Sequence, residues 1–380
     1  MLERLRAWSL ALSFALVSGA VLAVATTPGI ARGNGRIGGD LVAFLAAGQL
    51  VGEGRGASLY DLRAQAEAQR PWLPGAARGS VVPFAYPPTV ALLYAPLAWL
   101  PLRIAYLLHL ACSLLATALA AHLLAGAFPS SAGQDRWATL GVLGAFWPLW
   151  HASEIGQNTP FSLASFALVA FGMARARPTL AGLGAGLLLL KPPLGAAALL
   201  LLVVRKSWRA LAVAAAVALV IHATGVLAAG PDWPSVWLDA VRTFARHDAG
   251  ADLAWSVSAW ALLEPWLPGR GPVVALLLAL GLGGLAQRAD DPRAAVALAV
   301  CAAVLVPPHA GFYEAGLMAL PALWLLDAGG ARAAAPLASL WALTAVGYFT
   351  TPGRVHLYVV PVLWISAWTA WSVGRPKRGT

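Results

Sequence analysis

Charge is what this chain has least of: only 11% of its 380 residues are Asp, Glu, Lys or Arg, against 59% hydrophobic. A water-soluble domain carries about 25% charged residues, so there is less than half the charge needed to cover an aqueous surface. Lysine (3 residues), methionine (3) and cysteine (2) are also scarce. Cys112 and Cys301 both fall inside apolar runs, which implies small buried fillers and no disulfide framework. The HExxH, CxxC, Walker and dinucleotide-binding patterns are missing, and no tight Asp/Glu cluster suggests a metal cage. Together these absences exclude a disordered chain, a nucleic-acid-binding domain and an ordinary cytosolic enzyme.

What the chain does have is apolar sequence in runs of about 20 residues, 17 Trp and a mean hydropathy of +0.72. That is the composition of an all-α polytopic membrane protein. The net charge of +10 fits the same reading, because 23 of the 26 basic residues are Arg and most sit in short connections between apolar runs. Such connections mark a cytoplasmic face and meet anionic lipid phosphates, whereas a nucleic-acid binder carries its cations as patches on a polar chain.

Residues 1–7 are charged and precede an apolar run from Trp8 to Ala25. That run exceeds the ~7–15 residues of a signal-peptide core, so an uncleaved first transmembrane helix with a cytoplasmic N-terminus is expected. Residues 31–87 form a first extracytoplasmic loop, within which Asp40 to Val51 is apolar enough to lie on the membrane surface as a short helix. Residues 89–125 are interrupted at Leu100–Arg103 and read either as two crossings or as one crossing with a re-entrant piece. Further apolar runs lie at about 137–150, 160–174, 179–204, 208–229, 271–287, 294–308, 312–327, 333–350 and 355–373. The expectation is one domain over 1–380 with roughly ten to twelve membrane segments.

Arg and Lys content assigns the connections 175–177, 205–209 and 288–293 and the tail 374–380 to the cytoplasm. The connections 151–160, 230–270 (a second long loop), 309–311 and 351–354 then face outward. Within the second loop, Ser235 to Arg246 is amphipathic, with Val236, Trp237, Ala240, Val241 and Phe244 opposite Asp239, Arg242 and Arg246. A helix lying on the outer surface is expected there. The run 179–204 is anomalous, because both of its flanks call for the cytoplasm. Lys191-Pro192-Pro193 breaks it near the middle, which predicts two half-helices folding back with Lys191 at the apex.

Ionisable residues at membrane depth are costly and mark functional sites by default. Here they are Lys191, Glu154, His151, His222, His309, Glu314, His109 and His122; His109 and His122, within a helical run, suit neutral packing or anchoring at the interface. The outward connections add Asp40, Tyr60, Asp61, Tyr86 and Gln157, the last sharing a connection with Glu154. Asp40 also suits the N-cap of the helix that follows it. A carboxylate facing cations at the membrane boundary can take a proton from an attacking hydroxyl, while the cations hold a phosphate leaving group.

The order of features resembles glycosyltransferase family 87. The resemblance runs from Gly39-Asp40-Leu41 and Leu59-Tyr60-Asp61 through Tyr86-Pro87-Pro88 and Ala95-Pro96-Leu97-Ala98-Trp99-Leu100-Pro101 to Gly156-Gln157-Asn158. It continues with Leu190-Lys191-Pro192, Arg205-Lys206-Ser207-Trp208-Arg209 and Pro307-Pro308-His309, and departs from the family pattern at Ala310–Glu314. It implies a GT-C-type bundle with outward-facing interfacial helices in the first long loop. It also implies an inverting transferase in the cell (plasma or inner) membrane, with both termini cytoplasmic and the active site extracytoplasmic. The donor would be a polyprenyl-phosphate hexose, mannose first among the sugars. The acceptor would be a lipid or glycan, with no metal, no cofactor and no nucleic acid involved. Carried over by position, Asp40 would be the base, Lys191 and His309 would contact the donor phosphate, and Tyr86 and Gln157 would line the pocket, with Glu154 beside them. A multi-span transporter or lipid flippase is the alternative, and a non-catalytic membrane assembly protein a third. The early acid in a long outward loop favours the transferase, since a transporter keeps its ionisable groups near the midplane.

Overall fold

A computed structural model describes residues 38–73, 81–128, 136–247, 255–349 and 356–375, together with the single residue Gly19. The expected first transmembrane helix at 8–25 and the end of the tail lie outside the described residues.

Seventeen α-helices occur among the described residues, and no strand does. They are α1 (Leu41–Gly52), α2 (Leu62–Gln69), α3 (Pro88–Ala98), α4 (Leu102–Ala127), α5 (Arg136–Gly144) and α6 (Trp147–Ile155). Next come α7 (Thr159–Ala174), α8 (Pro178–Leu187), α9 (Pro192–Val204), α10 (Trp208–Ala229), α11 (Trp233–His247) and α12 (Ala259–Leu263). The last are α13 (Gly271–Arg288), α14 (Pro292–Leu305), α15 (Ala319–Gly329), α16 (Ala331–Phe349) and α17 (Val359–Gly374). This is an all-α polytopic membrane fold. Helices α4, α10 and α13 are long and apolar enough to cross a bilayer, and shorter apolar helices fill the spaces between them. On α4, Ile104, Leu108, Leu115 and Leu119 form an exposed stripe, whereas Ala105, Tyr106, His109, Leu110 and Ser113 are buried. An exposed leucine stripe on a helix of that length is a lipid-facing surface.

Several expectations change at the level of single elements. The stretch 89–125 resolves into α3, only about 16 Å long at ~1.5 Å per residue, and the full-length α4. Pro101 is the N-cap of the second helix, with an extended ψ of 137°. The run 137–150 is two short helices, α5 and α6, and α6 continues to Ile155, so most of the expected connection 151–160 is helical and buried. Helix α1 does not lie on a surface. Leu41, Val42, Leu45, Ala46, Ala47 and Leu50 are completely buried, and Gly48 lies so close to α3 that a Cβ there would sit 2.7 Å from Ala95 N. A helix apolar on every face needs enclosure, not an interface. On α11 the buried side chains are Trp233, Ala240 and Phe244, while Val236 is exposed. Cys301 is buried, but Cys112 is exposed.

The helices order into two ends. At one end Arg175 donates to Gly126 O (2.8 Å) and Arg293 to Ala127 O (3.3 Å). Arg205 reaches Ala289 O (2.6 Å), and Arg293 pairs with Asp291 (2.8 Å) and Asp327 (2.9 Å). The C-termini of α4, α7, α9, α13 and α15 and the N-terminus of α14 therefore meet at this Arg-lined end. Partial burial works against the charge of Asp291. Hydrogen bonds from Arg293 and from the Trp324 indole outweigh it and hold that carboxyl below its usual value.

The 179–204 segment turns back on itself. Helices α8 and α10 run side by side in the same direction, with Gly182 against Ala210 and Val213, and Gly186 against Val217. Only Arg205–Ser207 links α9 to α10, so α9 has to return to the level where α8 began. Lys191 sits at the turn with φ −128° and ψ 86°, because a residue before proline is kept out of the helical region. Its apex position brings Lys191 to the end opposite the arginines.

Candidate active site

Three pieces of backbone converge at the far end from the arginines. The first is the end of α6. Gly156 adopts φ +83° and closes the helix, with Gln157 N–H donating to Ala152 O (2.8 Å) and Gly156 N–H to Ser153 O (3.2 Å). Only glycine fits, since a Cβ there would lie 2.6 Å from Leu41 Cβ. The α6 carbonyls left over are taken by the turn before α1: Gly38 N–H donates to Glu154 O (2.8 Å) and Asp40 N–H to Ile155 O (2.9 Å). Asp40 and Gln157 are thereby set side by side, although 117 positions separate them in sequence.

The second piece is an extended strap, residues 81–87, stitched to α2 by two glutamines. Gln69 donates to Val82 O (2.8 Å) and accepts from Val82 N–H (2.9 Å), and Gln65 accepts from Phe84 N–H (2.8 Å). Tyr60 O–H donates to Tyr86 O (2.8 Å) and the Trp237 indole to Ala85 O (3.0 Å). These bonds satisfy backbone that has no strand partner and fix the Tyr86 ring. Just beyond the strap, Thr89 Oγ1 donates to Ile221 O (2.9 Å), about 20 Å of helix rise from the Trp208 end of α10.

The third piece is the Lys191 apex together with the 3-10 turn Phe312–Met318. Lys191 Nζ forms an ion pair with Glu314 and lies 5.6 Å from the Tyr86 ring centre and 4.9 Å from that of Tyr313. Two aromatic faces and a carboxylate together make burial of an ammonium tolerable.

Side-chain bonds join these pieces. Gln157 Nε2 donates to Asp40 Oδ2 (2.9 Å), and Tyr86 O–H donates to Gln157 Oε1 (3.2 Å). Asp40, Gln157, Tyr86 and Lys191 thus form one connected chain. Although Asp40 precedes α1, its carboxylate makes no capping bond to that helix. Glu154 adjoins the chain through its carbonyl, which also accepts from Tyr106 O–H (3.0 Å). His309 is exposed on the turn that leads to Glu314, where Ser256 and Gly311 form a bridge. His109 is buried against Tyr94 O–H (3.1 Å), as a packing histidine would be.

A model of glycosyltransferase family 87 matches residues 84–308, more than half of the chain. The chain belongs to glycosyltransferase family 87. No curated protein and no solved structure matches it. As a family 87 member it is a membrane glycosyltransferase. The matched span includes Tyr86, Glu154, Gln157 and Lys191; Asp40, His309 and Glu314 fall outside it, yet Asp40 and Glu314 are bonded to residues within it.

The sequence marks Glu314 as an acid at membrane depth but does not by itself pair it with Lys191, and it gives no sign of Tyr313, the second aromatic wall around that lysine. One signal for the pairing was available: Glu314 is the only acid between Asp291 and Asp327. A lone acid in so long an apolar stretch calls for a cation, and Lys191 is the only lysine in the first 205 residues. Among the described residues, no group of three His, Cys, Asp or Glu side chains could hold a metal.

Proposed function

We propose that the enzyme transfers a hexose from a polyprenyl-phosphate sugar to a lipid or glycan acceptor on the extracytoplasmic side, with inversion. The observation that carries this reading is the Asp40 carboxylate. It is not used to cap its own helix, and it is held by Gln157 in a chain that ends at Lys191. Asp40 takes the proton from the acceptor hydroxyl as that oxygen attacks the anomeric carbon. Lys191, steadied by Tyr86 and Tyr313, faces the phosphate as the C–O bond to it breaks and negative charge develops. His309, exposed on the turn that leads to Glu314, contacts the same phosphate.

Sidedness follows from charge. The end lined by Arg175, Arg205 and Arg293 is the cytoplasmic one under the positive-inside rule, which leaves the Asp40 end extracytoplasmic. Mannose is the sugar proposed, on family resemblance, and both substrates are lipid-borne or membrane-adjacent. Purified protein in nanodiscs, given radiolabelled polyprenyl-phosphate mannose and membrane lipid acceptors, should form a labelled product of inverted anomeric configuration. Solute flux or lipid scrambling without sugar transfer would replace this reading with a transporter or flippase.

A further inference from the structure

Three buried acceptor atoms beside the site have no hydrogen-bond partner among the described residues: Glu314 Oε2, Asn158 Oδ1 and Thr159 Oγ1. Two of the residues are fully enclosed, Glu314 at 2% exposure and Thr159 at 0%. A buried acceptor without a donor is costly, and a native protein rarely gathers several unless something else supplies the donors. The three belong to one neighbourhood. Asn158 and Thr159 directly follow Gln157, and the turn that carries Glu314 packs on Thr159, since a Cβ on Gly316 would lie 3.2 Å from Thr159 Cγ2.

Glu314 is divided between two tasks. One carboxylate oxygen holds Lys191, and the other is unused. In a glycosyl phosphate, the hydroxyl on the carbon next to the anomeric centre is only about three bonds from the oxygen that links sugar to phosphorus. An ammonium that meets the phosphate therefore has that hydroxyl beside it. A carboxylate bonded to the ammonium through one oxygen can accept the hydroxyl with its second.

Resting on the donor class proposed above, we infer that Glu314 recognises the 2-hydroxyl of the transferred sugar, with Asn158 and Thr159 accepting hydroxyls farther round the ring. The site then selects a polyhydroxylated sugar by acceptors that are costly to leave empty. Glu314 also couples the two halves of the donor, because the same carboxylate positions the phosphate cation and reads the sugar.

The test is a substrate–mutant cycle. Transfer from polyprenyl-phosphate hexose and from its 2-deoxy counterpart is measured with wild type, Glu314→Gln and Glu314→Ala. Comparing ratios of kcat/KM cancels the intrinsic reactivity of the deoxy sugar. A hydrogen bond to a charged acceptor exceeds one to a neutral acceptor by about tenfold in such a ratio, so the preference for the 2-hydroxyl should fall about tenfold in Glu314→Gln and further in Glu314→Ala. An unchanged ratio in both variants overturns the inference and leaves the donor class intact. No transfer by wild type from either donor overturns the donor class, and the inference with it. Should neither variant fold, competition binding with wild type decides: equal affinity for the 2-hydroxy and 2-deoxy donors overturns the inference, and weaker binding of the 2-deoxy donor supports it.

Discussion

The two ends of the helical bundle use charge in opposite ways. At the Arg-lined end, guanidinium groups reach backbone carbonyls at helix C-termini and pair with acids nearby, as Arg205 does at Ala289 O and Arg293 does at Asp291 and Asp327. Those contacts close helix ends that a bilayer would otherwise leave unsatisfied. At the Asp40 end, Asp40, Gln157 and Tyr86 bond to one another and Lys191 bonds to Glu314, and several buried acceptors remain unused. One end is completed by the protein itself. The other keeps buried acceptors that no described residue partners.

Breaking the site end should abolish activity while leaving the fold intact. Asp40→Asn keeps the volume and can still accept from Gln157, but it cannot take a proton, so transfer should fall about 10²–10⁴-fold with an unchanged melting temperature. Near-normal turnover would reduce Asp40 to a structural role.

Lys191→Met should lose roughly 2.7–4 kcal/mol of barrier stabilisation, by analogy with removing one preorganised donor at a developing anion. It also leaves Glu314 buried without its cation, which costs about 3–5 kcal/mol of stability for a broken buried pair. Adding Glu314→Gln should recover much of that stability and none of the activity, and thermal melts of the single and double variants would read the difference. Lys191→Arg should keep part of the activity, since the charge persists in a planar fork.

At the opposite end the expected effects are smaller and fall on stability alone. Arg293→Met removes bonds to Asp291, Asp327 and Ala127 O and should cost about 1.5–3 kcal/mol, with transfer per folded molecule unchanged. Asp291→Asn tests the smallest effect. Because the folded carboxyl titrates below its ordinary value, its contribution is present at neutral pH and is lost as pH falls through that lowered value. The variant should therefore be about 1 kcal/mol less stable at neutral pH and show a shallower acid dependence of its melting temperature. Identical acid limbs in the two proteins would contradict the pairing.

How far these features were legible in the sequence depended on distance along the chain. The break at Lys191 could be read because Pro192 and Pro193 act on the residue beside them. The Arg connections could be read for the same local reason. The partnership of Lys191 with Glu314 could not, because 123 residues separate them and hydropathy says nothing of which elements meet. Helix α1 is legible in its apolar run, but its setting is not, because the neighbour that encloses it is α3, a separate element beyond α2 and the strap. Run lengths also concealed the split of 137–155 into α5 and α6, since both halves are apolar.

The most direct test compares Asp40→Asn with Arg293→Met in one nanodisc preparation, measuring hexose transfer per folded molecule. The account predicts a loss of at least about 10²-fold for Asp40→Asn and wild-type transfer for Arg293→Met, despite the lower stability of the latter. Wild-type transfer by Asp40→Asn, or a comparable loss in folded Arg293→Met, would contradict it.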